Sequence, residues 1–388
     1  MRENRPTGVY LSGMFLRLLL SCLLLATLRS FAGEPLPRRS PTELGISPAA
    51  IGAFVEAADR EVDTLHSFMI LRHGRVAAEA WWAPETPDKA HVLHSLSKSF
   101  TSTAVGLAIA EGKLSLDDPV AKFFPGELPA EPTDFLRAMT VRHLLTMATG
   151  HESEPRFAPD RPWTASFLAH PVTQSPGTPF LYNSPATYVC AAIVSKVTGE
   201  DLVAYLKPRL FQPLGIDDPK WLRSPEGIAT GGWGLELKTE DIARFGQLYL
   251  QKGKWNGQQI LPESWVAQAT SRQVETAPKM KGDWAEGYGF QFWRCRHGAY
   301  RGDGAFGQFC LVLPEQDAVI VMTADTKNMQ AQLDLVWQHL LPAFHSNPLP
   351  PAPEAEAALR KQLTALRVRP DHAPNQIQLP GTAARRQP

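Results

Sequence analysis

The sequence predicts an α+β domain, an antiparallel sheet flanked by helices with a helical insertion. Three observations lead there. Strand-like runs occur at Ser67–Trp82 and again at Tyr288–Thr323, with little strand signal between them. The intervening stretch, residues 114 to about 225, is helical in pattern. Amphipathic helices bracket both strand groups, at Ser47–Val62 and Met329–Leu340. One hairpin buries too little surface to be stable alone, so the early and late strands are expected to join one sheet with helices against it.

The elements follow in order. Ile51, Phe54, Val55 and Ala58 recur at helical intervals. Two β-rich runs joined by Arg72-His73-Gly74-Arg75 read as a hairpin. Phe100, Ala104, Leu107 and Ala108 continue a helix that Gly112 stops. Pro-rich connections at 125–132 and 154–162 punctuate the helical insertion. Helices are expected at Thr239–Gln251 and near Pro262–Thr270, then strands at Tyr288–Cys295, Gln308–Leu313 and Ala318–Thr323, with a turn at Pro314–Asp317.

Composition bounds the rest. The 388 residues are 44% hydrophobic, enough for a sizeable core, and 39 basic residues balance 39 acidic ones. No overall field recruits nucleic acid, and no nucleic-acid partner is expected. Arginines at 2, 5 and 17, the apolar run Leu18–Leu28 and Ser30-Phe31-Ala32 read as a signal peptide, residues 1–32. Export to the periplasm or medium is expected, with no stable membrane span after cleavage; an uncleaved N-terminal anchor is the alternative. Residues 33–345 then form the domain, and 346–388 a mobile Pro-rich tail with one short helix near Glu354–Leu366. Cys190, Cys295 and Cys310 remain, an odd number with no metal or redox spacing; a Cys295–Cys310 bridge and buried free thiols are both open. His91 with His94, and His143 with His151, lack the acidic neighbour of a zinc-helix motif and read as satisfied structural histidines, so no metal site is assigned.

The chemistry is plainest in His94-Ser95-Leu96-Ser97-Lys98. Helical spacing sets a lysine amine beside a serine hydroxyl, and a neutral amine can take the hydroxyl proton as the oxygen attacks a carbonyl. A helix start also favours developing negative charge. The pair alone is weak, because an N-capping serine followed by a solvated lysine has the same spelling.

Two further segments make a pattern of it: Pro176-Gly177-Thr178-Pro179-Phe180-Leu181-Tyr182-Asn183-Ser184 and Arg301-Gly302-Asp303-Gly304-Ala305-Phe306-Gly307-Gln308. With Ser95 and Lys98 they resemble the three motifs of the penicillin-recognising serine hydrolases, a superfamily of class C β-lactamases, D-alanyl-D-alanine carboxypeptidases, esterases and 6-aminohexanoate-dimer hydrolases. The resemblance runs from about Pro41 to Phe344. It implies the β-lactamase/transpeptidase-like fold, with Ser95 as acylated nucleophile, Lys98 as its activating amine and Tyr182 as a proton shuttle whose phenol a nearby ammonium would help to ionise. It places the backbone N–H groups of Ser95 and Ala305 in the oxyanion hole, and Ser184, Gly302, Asp303 and Gly304 against substrate.

Two departures bear on substrate. Ser184 stands where the lactamases commonly have asparagine, and Gly302-Asp303-Gly304 where they have Lys-Thr/Ser-Gly. Asp303 would repel a substrate carboxylate unless Arg301 offsets it, so an amine or neutral group is more natural there. The expected activity is cleavage of a small-molecule amide or ester, such as an aminohexanoate dimer or a small carboxylic ester, without cofactor. The alternatives are a β-lactamase or D-alanyl-D-alanine carboxypeptidase, and a non-catalytic cell-wall-associated binding protein with the same fold.

Overall fold

The computed structural model describes Met1 and residues 33–177, 179–276 and 280–369. The expected signal peptide and Thr178 of the tyrosine motif lie outside the described residues. Among those described, no helix is long and apolar enough to cross a membrane.

Ser47 caps α1 (Pro48–Glu61), its hydroxyl accepting the Ala50 N–H at 3.4 Å. Strands β1 (Leu65–Arg72) and β2 (Arg75–Trp81) then form the expected hairpin. Its two-residue turn puts both His73 (φ +51°) and Gly74 (φ +70°) in the left-handed region, the conformation whose twist matches that of the paired strands. The late strands are β3 (Trp293–Arg294), β4 (Tyr300–Gly304), β5 (Gln308–Leu313) and β6 (Ala318–Ala324). All six pair antiparallel in the order β2-β1-β6-β5-β4-β3, so the two ends of the sequence meet where β1 lies beside β6.

Side-chain alternation divides the core in two. Phe68, Ile70, Leu311, Ile320 and Met322 face α1 and the helix α5 (Met329–Leu335, continued in wider turns to Leu340). Met69, Leu71, Val312, Val319 and Val321 face the opposite way, toward α2 (Ser97–Ala110), α4 (Thr239–Leu250) and the helical region. Helix α4 lies hard on this face: a Cβ on Gly246 would come within 2.6 Å of Val319. Its N-terminus is pinned by Ser67, whose hydroxyl is 2.6 Å from those of both Thr239 and Thr323. The helical insertion contributes α3 (Ser184–Thr198), packed on α2 and ending at Gly199 in the left-handed conformation.

Two expectations are corrected and one open alternative is decided. The strand foreseen over Tyr288–Cys295 shrinks to Trp293–Arg294, because Gln291 at φ +65° breaks the extended backbone. Of the two readings open for the cysteines, buried free thiols holds: Cys295, just beyond β3, and Cys310, on β5, lie in separate halves of the core and are not bridged, and Cys190 is likewise free and buried. The mobile tail expected from residue 346 is, through residue 369, part of the packed domain. Helix α6 (Pro353–Thr364) buries Leu359 against α1, and its Gln362 donates to the Gly52 carbonyl at 2.9 Å. Beyond it Ala83 N–H donates to Leu366 O at 3.1 Å and Val368 N–H to Ala83 O at 3.0 Å.

Candidate active site

Ser95 sits in a single 3₁₀ turn, His94–Leu96, that runs directly into α2. His94 enters this turn at φ +47°. One turn on, Lys98 is 1% exposed inside a helix whose residues 97–108 are all buried. Its Nζ lies 2.9 Å from Ser95 Oγ, 3.2 Å from Ser184 Oγ and 2.8 Å from the Gly232 carbonyl. A neutral amine fits all three, since it can donate to the carbonyl and to Ser184 and use its lone pair to accept the Ser95 proton. Burial drives the amine that way, holding it down to about 7, while the carboxylates of Glu154 and Asp303 pull it back up.

Tyr182 flanks the pair from the segment before α3. Its ring centre lies 4.9 Å from Lys98 Nζ, and the ring stacks on Trp293 with centroids 5.5 Å apart. Burial pushes the phenol well up, against the opposing pull of a hydrogen bond with Ser95. The expectation that a neighbouring ammonium ionises Tyr182 is therefore reversed: the resting phenol keeps its proton and the lysine is the group poised to lose one. Next to it Asn183, fully buried, caps α3 by accepting the Ala186 N–H at 3.1 Å, leaving Ser184 to face Lys98.

The third motif is strand β4. Its glycines permit an approach no side chain would allow: a Cβ on Gly302 would fall 2.1 Å from Leu96 Cδ1, and one on Gly304 2.1 Å from the Leu93 carbonyl. The strand is thus pressed against the turn that carries Ser95. After Gly304 the chain reverses in a turn closed by the Gly307 N–H donating to Gly304 O at 3.2 Å, a bond that does not use the Ala305 amide. Asp303 does not stand alone: Arg301, fully buried, donates its Nε to Asp303 Oδ2 at 2.9 Å. That guanidinium also lies 4.5 Å from the centre of the Trp284 ring and donates to Cys295 Sγ at 3.0 Å. The offsetting cation is therefore in place, within the same strand.

Sequence reasoning missed two contributors, Glu154 and Gly232, and could not separate Trp293 as a cleft wall from a core tryptophan. Glu154, at the mouth, accepts the Ser184 N–H at 2.8 Å; it lies in an irregular loop with no motif to announce it. Gly232 supplies a carbonyl to Lys98, and the density of glycine at 231–234 was its one signal. Trp293 gives the wall on which Tyr182 stacks. Among the described residues no group of three or more histidine, cysteine, aspartate or glutamate side chains is arranged to hold a metal ion. His143 and His151 each have a partnered ring nitrogen, to Thr140 N–H at 3.1 Å and Thr149 Oγ1 at 2.8 Å. The reading of these histidines as satisfied is corrected at three of the four: His91 Nε2, His94 Nδ1 and His151 Nε2 are buried without a hydrogen-bond partner, His91 Nε2 standing 3.8 Å from Glu85 Oε2.

Comparison with known proteins agrees with this architecture. The chain is 29% identical over 279 residues to a 6-aminohexanoate-dimer hydrolase of Paenarthrobacter ureafaciens, covering 66% of this chain and 71% of that protein. It is 25% identical over 323 residues to a β-lactamase of Escherichia coli K12, covering 66% and 81%. The octameric penicillin-binding protein homologue from Pyrococcus abyssi superposes with a TM-score of 0.60 at 21% identity, over 78% of this chain and 79% of that one, which speaks for the fold. The Beta-lactamase family model matches residues 59–341, and the chain belongs to that family, within the penicillin-recognising serine hydrolases.

Proposed function

We propose that this protein is an exported serine hydrolase that cleaves an amide or ester bond of a small molecule through an acyl-enzyme on Ser95. The observation that carries the reading is the buried Lys98 amine 2.9 Å from Ser95 Oγ, held near neutrality. Neutral Lys98 takes the hydroxyl proton as Ser95 Oγ bonds to the substrate carbonyl carbon. The Ser95 and Ala305 N–H groups receive the resulting oxyanion. Tyr182, protonated at rest, gives its proton to the leaving nitrogen or oxygen as that bond breaks, and is restored from the Lys98 ammonium. In the second half water attacks the acyl carbon, its proton passes to the Tyr182–Lys98 pair, and Ser95 recovers its own.

Linear oligoamides of the aminohexanoate type and small carboxylic esters are the preferred substrates. In support, a relative is named a 6-aminohexanoate-dimer hydrolase, and the exposed carboxylate of Glu154, unlike Asp303 with its Arg301 partner, acts on Lys98 from the mouth of the site. A cationic amine on the substrate suits such surroundings. A second reading, a β-lactamase or D-alanyl-D-alanine carboxypeptidase, is favoured by one observation: a relative 25% identical over 323 residues is named a β-lactamase.

The deciding experiment is intact-mass analysis of the mature protein and of Ser95→Ala after exposure to a fluorophosphonate, a p-nitrophenyl ester, an aminohexanoate dimer and a penicillin. An adduct or turnover confined to wild type supports the mechanism, and the reactive compound selects between the two readings. Reaction retained in full by Ser95→Ala overturns it.

A further inference from the structure

Gln291 is a buried junction between the elements that carry the catalytic groups. It is 2% exposed and held at φ +65°, a strained conformation for a residue with a side chain. Every polar group it owns is engaged, and together they reach three parts of the site's scaffold. Its Nε2 donates to the Leu144 and Leu145 carbonyls at 3.2 and 2.8 Å, at the end of the short helix Val141–Leu145, and its own N–H donates to Leu145 O at 3.2 Å. Its Oε1 accepts from Thr187 of α3 at 2.7 Å. Its carbonyl accepts from Ser99 of α2 at 2.9 Å, and the preceding Phe290 carbonyl accepts from Ser102 one turn further along α2 at 2.7 Å.

The neighbours of these partners are the groups of the mechanism. Ser99 directly follows Lys98, Thr187 lies one turn into α3 from Ser184, and Trp293, two residues beyond Gln291, stacks on Tyr182. Ser95 and Lys98 come from the α2 end, Ser184 and Tyr182 from the α3 end, and the 3.2 Å contact between Lys98 Nζ and Ser184 Oγ spans the two. We infer that Gln291 is a positioning residue for this reaction: it sets the spacing of α2 against α3, and so keeps the Lys98 amine enclosed against Ser184 and dry. The inference rests on the acyl-enzyme reading of Ser95. The carboxylates that act on Lys98, Glu154 and Asp303, belong to other segments and are not hydrogen-bonded to Gln291.

The test is the second-order rate of Ser95 labelling by a fluorophosphonate, measured against pH by intact mass, which needs no knowledge of the substrate. Wild type is expected to label faster as pH rises through about 7, where burial holds the amine. Gln291→Leu removes the three side-chain hydrogen bonds made by Oε1 and Nε2 without a large change in volume. If it positions Lys98, labelling slows about tenfold or more and its midpoint moves upward, because water reaching the amine favours the ammonium. A loss of packing alone lowers thermal stability and leaves that midpoint in place. Should Gln291→Leu not fold, Thr187→Val cuts only the tie to α3 and is expected to show the same upward move in milder form. An unchanged rate and midpoint in a folded variant, with wild type labelled at Ser95, overturns the positioning role and leaves the acyl-enzyme reading intact. Wild type that is not labelled at Ser95 overturns the acyl-enzyme reading, and the positioning role with it.

Discussion

Arg301 and Asp303 form a buried ion pair two residues apart on one strand, with Nε 2.9 Å from Oδ2 and exposures of 0% and 8%. Alternation puts both side chains on the same face of β4, while the intervening Gly302 faces the nucleophile turn. The charge that the sequence sets in the third motif is thus neutralised by its own neighbour.

Arg301→Met leaves the Asp303 carboxylate buried and unpaired. The expected cost is about 3 to 5 kcal/mol, because removing one partner of a buried pair exposes the other's full desolvation penalty. Urea unfolding at neutral pH measures it, and Asp303→Asn in the same chain should recover part of the loss. A cost below about 1 kcal/mol would show that the pair is dispensable.

Lys98 links stability to pH. Burial holds its amine at about 7 in the folded protein against ~10.4 in an unfolded chain, so between these values the unfolded state holds a proton that the native state has released. Stability from this group therefore rises with pH across that window and is at its lowest below 7. Buried thiols and phenols oppose the trend at alkaline pH, since burial raises them. Comparison with Lys98→Met cancels those groups. The stability of wild type relative to Lys98→Met should grow by roughly 1 kcal/mol per pH unit between neutral and alkaline pH in denaturant titrations. A difference that does not vary with pH contradicts a depressed lysine.

Glu154 favours the ammonium form of Lys98 from the mouth of the site. Glu154→Gln keeps an oxygen for the Ser184 N–H but removes the charge. The acid limb of the Ser95 labelling rate is expected to shift to lower pH, by roughly half a unit, and less in high salt because the residue is exposed. An upward shift, or none at low ionic strength, refutes this electrostatic role.

Gly302 is fixed by its distance to the nucleophile turn. Gly302→Ala forces a Cβ into Leu96 and should cost about 1 to 3 kcal/mol with a slower acylation of Ser95. For the same reason, the lysine that lactamases carry in this motif cannot simply be grafted here. Gly302→Lys is expected to leave nitrocefin turnover no higher than that of wild type, and a clear gain would show that the strand has room to move.

Much of the site was legible because its parts are local. Ser95 and Lys98 are brought together by helical spacing, and His73-Gly74 answers the backbone demands of a two-residue turn. The strand foreseen over Tyr288–Cys295 was misread because its alternation of aromatic residues is real, yet Gln291 gives its hydrogen bonds to three helices instead of a ladder. The helix α6 was legible near Glu354–Leu366 but its docking was not, since the single buried Leu359 is a faint signal in a Pro-rich stretch.

The sequence by itself determined the fold class, the order of the elements and the three segments that supply Ser95, Lys98, Tyr182 and the Gly302–Ala305 strand, since propensity, period and motif spelling are properties of short stretches. Only the tertiary structure decided the protonation pattern. Lys98 is driven toward neutrality, Tyr182 keeps its proton and Asp303 is matched by Arg301, because desolvation and Coulomb forces depend on what long-range packing places around each group.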